Sequence, residues 1–386
     1  MITVLHLIDD EKFTDYIIEK NSAFKEINGK ALTHKYLGIG DSFKYTKNKE
    51  KLTLISNFKD YKNYLEDHKA DILIIHCLSL FKAFALYKNL DNFKKIVWCL
   101  WGVDFYSTPL YKKSLYFEKT KEYVRKEQSK ITTFLRPIYH TIKYGTTLKK
   151  ALKKIISQAD FIAPIVDEEF NLIKNATYTK AKHIRYSYGD LDSLVGNFDL
   201  QNTHLEDNIL IGNSATIESN HIDAFHFLID SNFKTTKKNN NKIITPLSYG
   251  DMKYSAYIQK EGKKLLNNKF LPLTDFMKLN EYVKVLSSCG YCIMAHKRQQ
   301  ALGNILLMLM IGSKVFVSKK NPIYEHLSKK GVNIFSIEND LVKSGIGNKL
   351  NKSQITHNRK IISELYSTEK IKSTYENFYT QITQQL

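Results

Sequence analysis

Long apolar runs are missing from this chain of 386 residues. The longest candidate, Ile305–Ile311, is stopped by Gly312–Ser313, well short of the ~20 residues needed to span a bilayer. A buried core helix is the expectation there. Met1–Asp10 (MITVLHLIDD) has neither a basic leader nor a cleavage site and reads as a first strand, not a signal peptide. Cysteine is scarce. Only Cys77, Cys99, Cys289 and Cys292 are present, three of them in or beside apolar strand patterns, so reduced and packed thiols are expected rather than a disulfide framework. Cys289 and Cys292 have CxxC spacing but no second ligand pair, which argues against a zinc site. Acidic residues are also under-represented. Lys and Arg number 58 against 39 Asp and Glu, a net charge of +19, which points to an anionic partner: nucleic acid, an acidic membrane surface or a phosphorylated ligand.

What the chain has in quantity is short apolar runs alternating with helical patterns, the mark of βαβ units and a parallel sheet. In the first half, strands are predicted at Ile2–Ile8, Leu32–Leu37, Leu52–Ser56, Asp71–Cys77, Lys95–Trp101, Asp160–Ile165 and Lys182–Tyr188. A second series follows at Ile209–Gly212, Lys242–Leu247, Phe270–Phe276, Tyr291–Ala295, Lys314–Ser318 and Asn333–Ser336. The polar stretch Leu191–Asp207 suits a linker, and Lys237–Lys242 a solvated loop. The expected fold is therefore α/β, with two Rossmann-like domains facing across a cleft. Residues 1–200 form the first and 208–350 the second, and a C-terminal helix in 352–386 returns to the first.

The segment 111–156 differs in kind. Between Lys112 and Lys154 stand thirteen Lys or Arg against three Glu, interleaved with Tyr116, Phe117, Tyr123, Phe134, Tyr139 and Tyr144. Such a pattern fits a helix pair lying in the interface of an anionic membrane. It equally fits a solvated basic pair packing its aromatics on the domain. Nucleic acid would use the same side chains, but no nucleic-acid motif accompanies them, so none is expected as a partner.

Candidate binding residues fall after the second-half strands. Gly212-Asn213-Ser214-Ala215-Thr216 and Ser219-Asn220-His221 place small residues and a helix start where backbone N–H groups meet an anion. Ser219 and Asn220 also read as plain N-caps. Tyr249 and Gly250 end another strand, in position to stack on a base. His296-Lys297-Arg298-Gln299-Gln300 supplies a guanidinium fork for a diphosphate and amides for sugar hydroxyls, and Gly303–Asn304 open the next helix. Glu325 is placed to accept from a hydroxyl, or to compensate a helix dipole. In the first half, Asp104 in Trp101-Gly102-Val103-Asp104-Phe105-Tyr106 stands where a general base for an acceptor hydroxyl belongs, or where a helix cap does. His6 and His76 lie on strands and read as core histidines.

WGVDFY, GNSATIESNH, ITPLSYG with the following YIQKEG, KRQQALGN and NPIYEHL together resemble the TDP-N-acetylfucosamine:lipid II N-acetylfucosaminyltransferase family. The resemblance implies a GT-B glycosyltransferase needing neither bound metal nor cofactor. Its donor would be a dTDP-sugar carrying 4-acetamido-4,6-dideoxygalactose, and its acceptor a polyprenyl-diphosphate-linked saccharide. It would work as a peripheral protein at the cytoplasmic face of the inner membrane. Gly212, Asn213, Ser214, Asn220, His221, Arg298, Gln299 and Gly303 would line the donor, with Asp104 at the reaction centre. The residues alone leave open a UDP- or GDP-sugar transferase for capsule, O-antigen or protein, and an inactive nucleotide- or membrane-binding scaffold.

Overall fold

The computed structural model describes residues 1–127, 130–196, 205–231, 241–384 and 386, with the side chains of 130–135 outside that description. Much of the linker (197–204), most of the solvated loop (237–240) and the Phe134 side chain therefore lie outside the described residues. The chain forms two compact units. Met1–Lys112, Ser129–Gly189 and Glu369–Leu386 make the first, and Lys113–Gln128 with Asp190–Thr368 the second.

In the first unit the strands are β1 (Ile2–Leu7), β2 (Glu26–Ile27), β3 (Lys30–Ile39), β4 (Leu52–Ile55), β5 (Ala70–His76), β6 (Phe93–Cys99), β7 (Phe161–Ala163) and β8 (Lys182–His183). They pair in the order β3-β1-β5-β6-β7-β8, with β4 on the outer side of β3 and only β2 antiparallel. β5 reads ADILIIH, and Ile72–Ile75 are fully buried because helices cover a parallel sheet on both faces. One cover is the helix Thr368–Thr383, whose Ile371, Tyr375, Phe378 and Ile382 recur at helical spacing and pack on Val4, Ile72, Ile74 and Val97.

Three neighbouring strands carry a chain of histidines. His34 Nε2 donates to the Phe24 carbonyl (2.9 Å), which leaves its Nδ1 to accept from His6 Nε2 (3.0 Å). His6 Nδ1 then accepts from His76 Nε2 (3.1 Å), and His76 Nδ1 from the Tyr188 hydroxyl (3.1 Å). Every ring is thereby fixed as the neutral Nε2–H tautomer. Burial holds His6 and His34 below the ordinary imidazole value and His76 at about 3.

The second unit holds β9 (Glu206–Ile211), β10 (Ile243–Pro246), β11 (Phe270–Leu273), β12 (Cys289–Met294), β13 (Lys314–Val317) and β14 (Phe335–Ser336), all parallel, in the order β11-β10-β9-β12-β13-β14. This is the doubly-wound order, and its strand sequence reverses between β9 and β12. The apolar run is a core helix, Leu302–Ile311, with Ile305–Ile311 buried. Gly312, at φ +108°, ends it. Arg359, from the helix Lys352–Tyr366, donates to the last carbonyls at Met310 (2.7 Å) and Ile311 (3.2 Å).

The boundaries differ from the sequence expectation in two places. Residues 113–128 belong to the second unit, where the helix Glu118–Glu127 buries Tyr123 and Val124 in that unit's core. The expected long C-terminal helix is two helices, broken where Ser367 turns extended, and Lys352–Tyr366 stays with the second unit. All four cysteines are free and buried, and burial raises each thiol above its ordinary value. Among the described residues no helix is long and apolar enough to cross a membrane.

Candidate donor site

In an open parallel sheet, ligands bind beyond the carboxyl ends of the strands where strand order reverses. In the second unit that point is marked by the ends of β9 and β12, at Ile211 and Met294. The loops leaving those strands, with the loop after β10, are tied into one rim. Gly212 N donates to the Ile293 carbonyl (3.1 Å), and Ala215 N to the Tyr249 carbonyl (2.8 Å). Gln300 Nε2 donates to Thr216 Oγ1 (2.8 Å), and His296 Nε2 lies 3.2 Å from Ser219 Oγ. Thus Gly212, Asn213, Ser214, Tyr249, Arg298 and Gln299 stand on three adjoining loops, His221 opens the helix His221–Asp230 after the first of them, and Gly303 and Asn304 lie in the first turn of the helix that the third one feeds.

The turn after β9 requires glycine. Gly212 has φ +70°, and a Cβ there would run into the His221 ring, with Cδ2 at 2.9 Å. Close packing under the rim leaves several buried polar atoms without a protein partner: Asn213 Oδ1, both ring nitrogens of His221, Thr245 Oγ1, His296 Nδ1 and Gln300 Oε1. Buried polar groups are nearly always paired, so such a concentration marks a place built for a polar ligand or its waters. Burial lowers His221 to about 3, and His296 too lies well below the ordinary value, so both rings are neutral.

The rim is also strongly positive. Lys297 and Lys320 both lie over the Phe117 ring, at 5.2 and 5.6 Å. Burial first, then repulsion from Lys320 and Lys121, pushes Lys297 down to about 8, against the opposing pull of Glu118 and Asp223. Beside them the half-buried Arg298 donates to the Gln299 carbonyl (3.0 Å). The helix Leu302–Ile311 starts with no side-chain cap, and its N-cap, Ala301, is held at φ +65°. A left-handed alanine costs about 1 kcal/mol or more, and such strain gathers at binding loops. Uncapped N–H groups, an arginine and two lysines make an anion site. Among the described residues no group of three or more His, Cys, Asp and Glu is placed to hold a metal ion.

Four of the expected residues have protein partners of their own. The Asn220 amide is fully engaged: Nδ2 donates to the Leu115 (3.1 Å), Glu218 (2.8 Å) and Ala295 (3.0 Å) carbonyls, and Oδ1 accepts from Phe117 N (2.9 Å). It holds segment 113–128 on the rim and has no capacity left for a donor. Asn304 Oδ1 accepts from the Tyr282 hydroxyl (3.0 Å), so what its position offers a ligand is Nδ2 and a backbone N–H, not an acceptor. Glu325 lies on the exposed side of the helix Pro322–Lys329, in an i,i+4 pair with Lys329 (2.6 Å). Asp104, 4% exposed, accepts from Leu78 N (2.8 Å), Trp98 Nε1 (2.7 Å) and Trp101 N (3.0 Å). It pins the turn after β6, and burial raises its pKa.

Sequence reading missed two things. The first is the segment 113–128. Asp223 caps its helix, accepting from Lys119 N (2.9 Å), Thr120 N (2.9 Å) and Thr120 Oγ1 (2.6 Å), while Lys297 Nζ donates to the Tyr116 carbonyl (2.9 Å). The second lies at the order reversal of the first unit's sheet, between β1 and β5. There the fully buried Lys82 donates to Asp9 Oδ2 (3.0 Å) and to the His76 (2.7 Å) and Cys77 (3.2 Å) carbonyls. Asp9 Oδ1 accepts nothing. By contrast Asp10, three residues beyond β1, is engaged by the backbone at 44–46 and Asp15 by that at 47–48.

Against this geometry, residues 194–369 match the family model described as 4-alpha-L-fucosyltransferase, glycosyl transferase group 56. The chain is a glycosyltransferase. The matched stretch, a little under half the chain, holds all three rim loops. Solved structures agree on the fold. HepE of Anabaena, in complex with UDP and glucose, is 11% identical with a TM-score of 0.60, over 98% of this chain and 100% of that one. A glycosyltransferase of Rickettsia africae is 12% identical with a TM-score of 0.60, over 100% and 99%. WaaG, a glycosyltransferase involved in lipopolysaccharide biosynthesis, is 12% identical with a TM-score of 0.59, over 99% and 100%. The fold of this transferase is therefore GT-B, two α/β units with parallel sheets.

Proposed function

We propose that this glycosyltransferase moves 4-acetamido-4,6-dideoxygalactose, or a related deoxy-amino sugar, from a dTDP donor to a polyprenyl-diphosphate-linked saccharide at the cytoplasmic face of the inner membrane. The observation that carries the donor half is the cation-rich rim at the β9/β12 reversal, inside the segment that matches the fucosyltransferase family. In this reading the Gly212 turn, the start of the helix at Leu302 and Arg298 bind the diphosphate, and Lys297 and Lys320 add charge. Asn213 and Ser214 face the sugar, and Tyr249 stacks on the base. The cations then stabilise the leaving diphosphate, as a metal ion does in other enzymes. The acceptor oxygen attacks the anomeric carbon, the bond from that carbon to the β-phosphate oxygen breaks, and its electron pair leaves on dTDP. The acceptor's proton goes to a general base.

Purified protein with the dTDP-sugar and a lipid-linked acceptor should release dTDP and form the extended lipid, with or without EDTA. Turnover only with a UDP- or GDP-sugar would overturn the donor assignment. Binding of nucleotide without any turnover would leave a scaffold.

A further inference from the structure

The aromatic residues of segment 111–156 are mostly covered. Tyr116, Phe117 and Tyr123 pack on the second unit's core, and Tyr144 stacks on Phe84 at 4.2 Å and meets Phe58 edge-on at 4.9 Å. His140, one turn before Tyr144, also meets Phe84. These two residues fix which face of the helix Lys130–Tyr144 is turned to the domain. Ile138 and Ile142, likewise one turn apart, are then about 180° away at ~100° per residue. They are 50% and 81% exposed, with Tyr139 at 54% on the flank. The same helix carries the exposed cations Arg136 and Lys143, the next helix, Leu148–Gln158, carries Lys149, Lys150 and Lys153, also exposed, and between Glu127 and Asp160 the chain has no acidic residue.

We propose that this face of the first unit, Ile138–Tyr139–Ile142 together with the exposed cations of the two successive helices, docks on an anionic phospholipid surface. The two isoleucines enter the headgroup boundary with Tyr139 at its polar edge, and the lysines lie against lipid phosphates. A soluble protein partner would call for acidic groups matched to a fixed shape. A fluid anionic surface needs only an apolar ridge and unopposed positive charge, and that is what the helix presents. The inference rests on this surface alone and stands or falls separately from the sugar-transfer reading.

Co-sedimentation of the full chain with vesicles of phosphatidylcholine containing about 30% phosphatidylglycerol tests it. The expected result is binding that falls at least tenfold on pure phosphatidylcholine and weakens with salt. Ile142→Glu should lower partitioning at least tenfold without changing the melting temperature or nucleotide binding. Lys149→Glu with Lys150→Glu should do the same chiefly at low salt. The proposal is overturned if the wild type fails to sediment with the anionic vesicles. It is equally overturned if the helix variants bind as the wild type does, since attraction would then come from the net charge of +19 alone.

Discussion

Replacing Gly212 by alanine probes the turn on which the donor site is built. The added methyl would stand in a left-handed conformation, φ +70°, and would meet the imidazole of His221. The conformation alone costs roughly 1–2 kcal/mol. Forcing a methyl into a packed site adds roughly 1–3 kcal/mol, and His221, fully buried, cannot swing into solvent to relieve it. A loss of about 2–4 kcal/mol in unfolding free energy is expected for Gly212→Ala, read from urea denaturation. His221→Ala removes the obstacle, and neither ring nitrogen has a hydrogen bond to lose. In that background Gly212→Ala should cost only the conformational part, a coupling of about 1–3 kcal/mol between the two sites. Additive effects in the double mutant, or a single-mutant loss below about 0.5 kcal/mol, would refute the reasoning.

The histidine chain predicts acid sensitivity. Folding lowers the pKa values of His6, His34 and His76, so the folded state binds fewer protons than the unfolded one. Stability is then complete above ~6.5 and falls as pH drops below it, by up to about 2 kcal/mol per buried ring at pH 5. Equal unfolding free energies at pH 7.5 and pH 5 would contradict this. Asp9→Asn should lower thermal stability, because it leaves the fully buried Lys82 without its carboxylate partner. Asp104→Asn should lower it too, since the carboxylate accepts three hydrogen bonds in the turn after β6, and an unchanged melting temperature in either variant would contradict these roles. Lys297, at about 8 in the free protein, should be raised by a bound diphosphate. Donor affinity should therefore decline as pH rises from 7 to 9.5, and a flat profile would remove Lys297 from the site.

Most strands were legible because each is a short apolar run bounded by polar residues. DILIIH and KVFV could hardly be anything else, and in the structure they are β5 and β13. The rim was legible for a related reason: small and basic residues directly after β9 and β12 have only one end of a parallel sheet to occupy. What escaped was non-local. Nothing in Tyr116–Val124 reveals that Asp223 and Asn220, about a hundred residues on, cap and clasp it. Asn220 looked like a ligand for the same reason, since an amide at a helix start suits either partner. Lys82 sits in LFKAFAL, where a lone lysine reads as solvent-facing, and only the packing of that helix directs its amine to Asp9. The break at Ser367 leaves no proline or glycine to signal it.

Calorimetric titration of the chain with dTDP, beside UDP and GDP, tests the central claim that the loops at the β9/β12 reversal hold a nucleoside diphosphate. The account predicts saturable binding with dTDP preferred, and roughly 2 kcal/mol weaker binding in Arg298→Ala. Absence of binding by all three nucleotides, or unchanged affinity in Arg298→Ala, would contradict it.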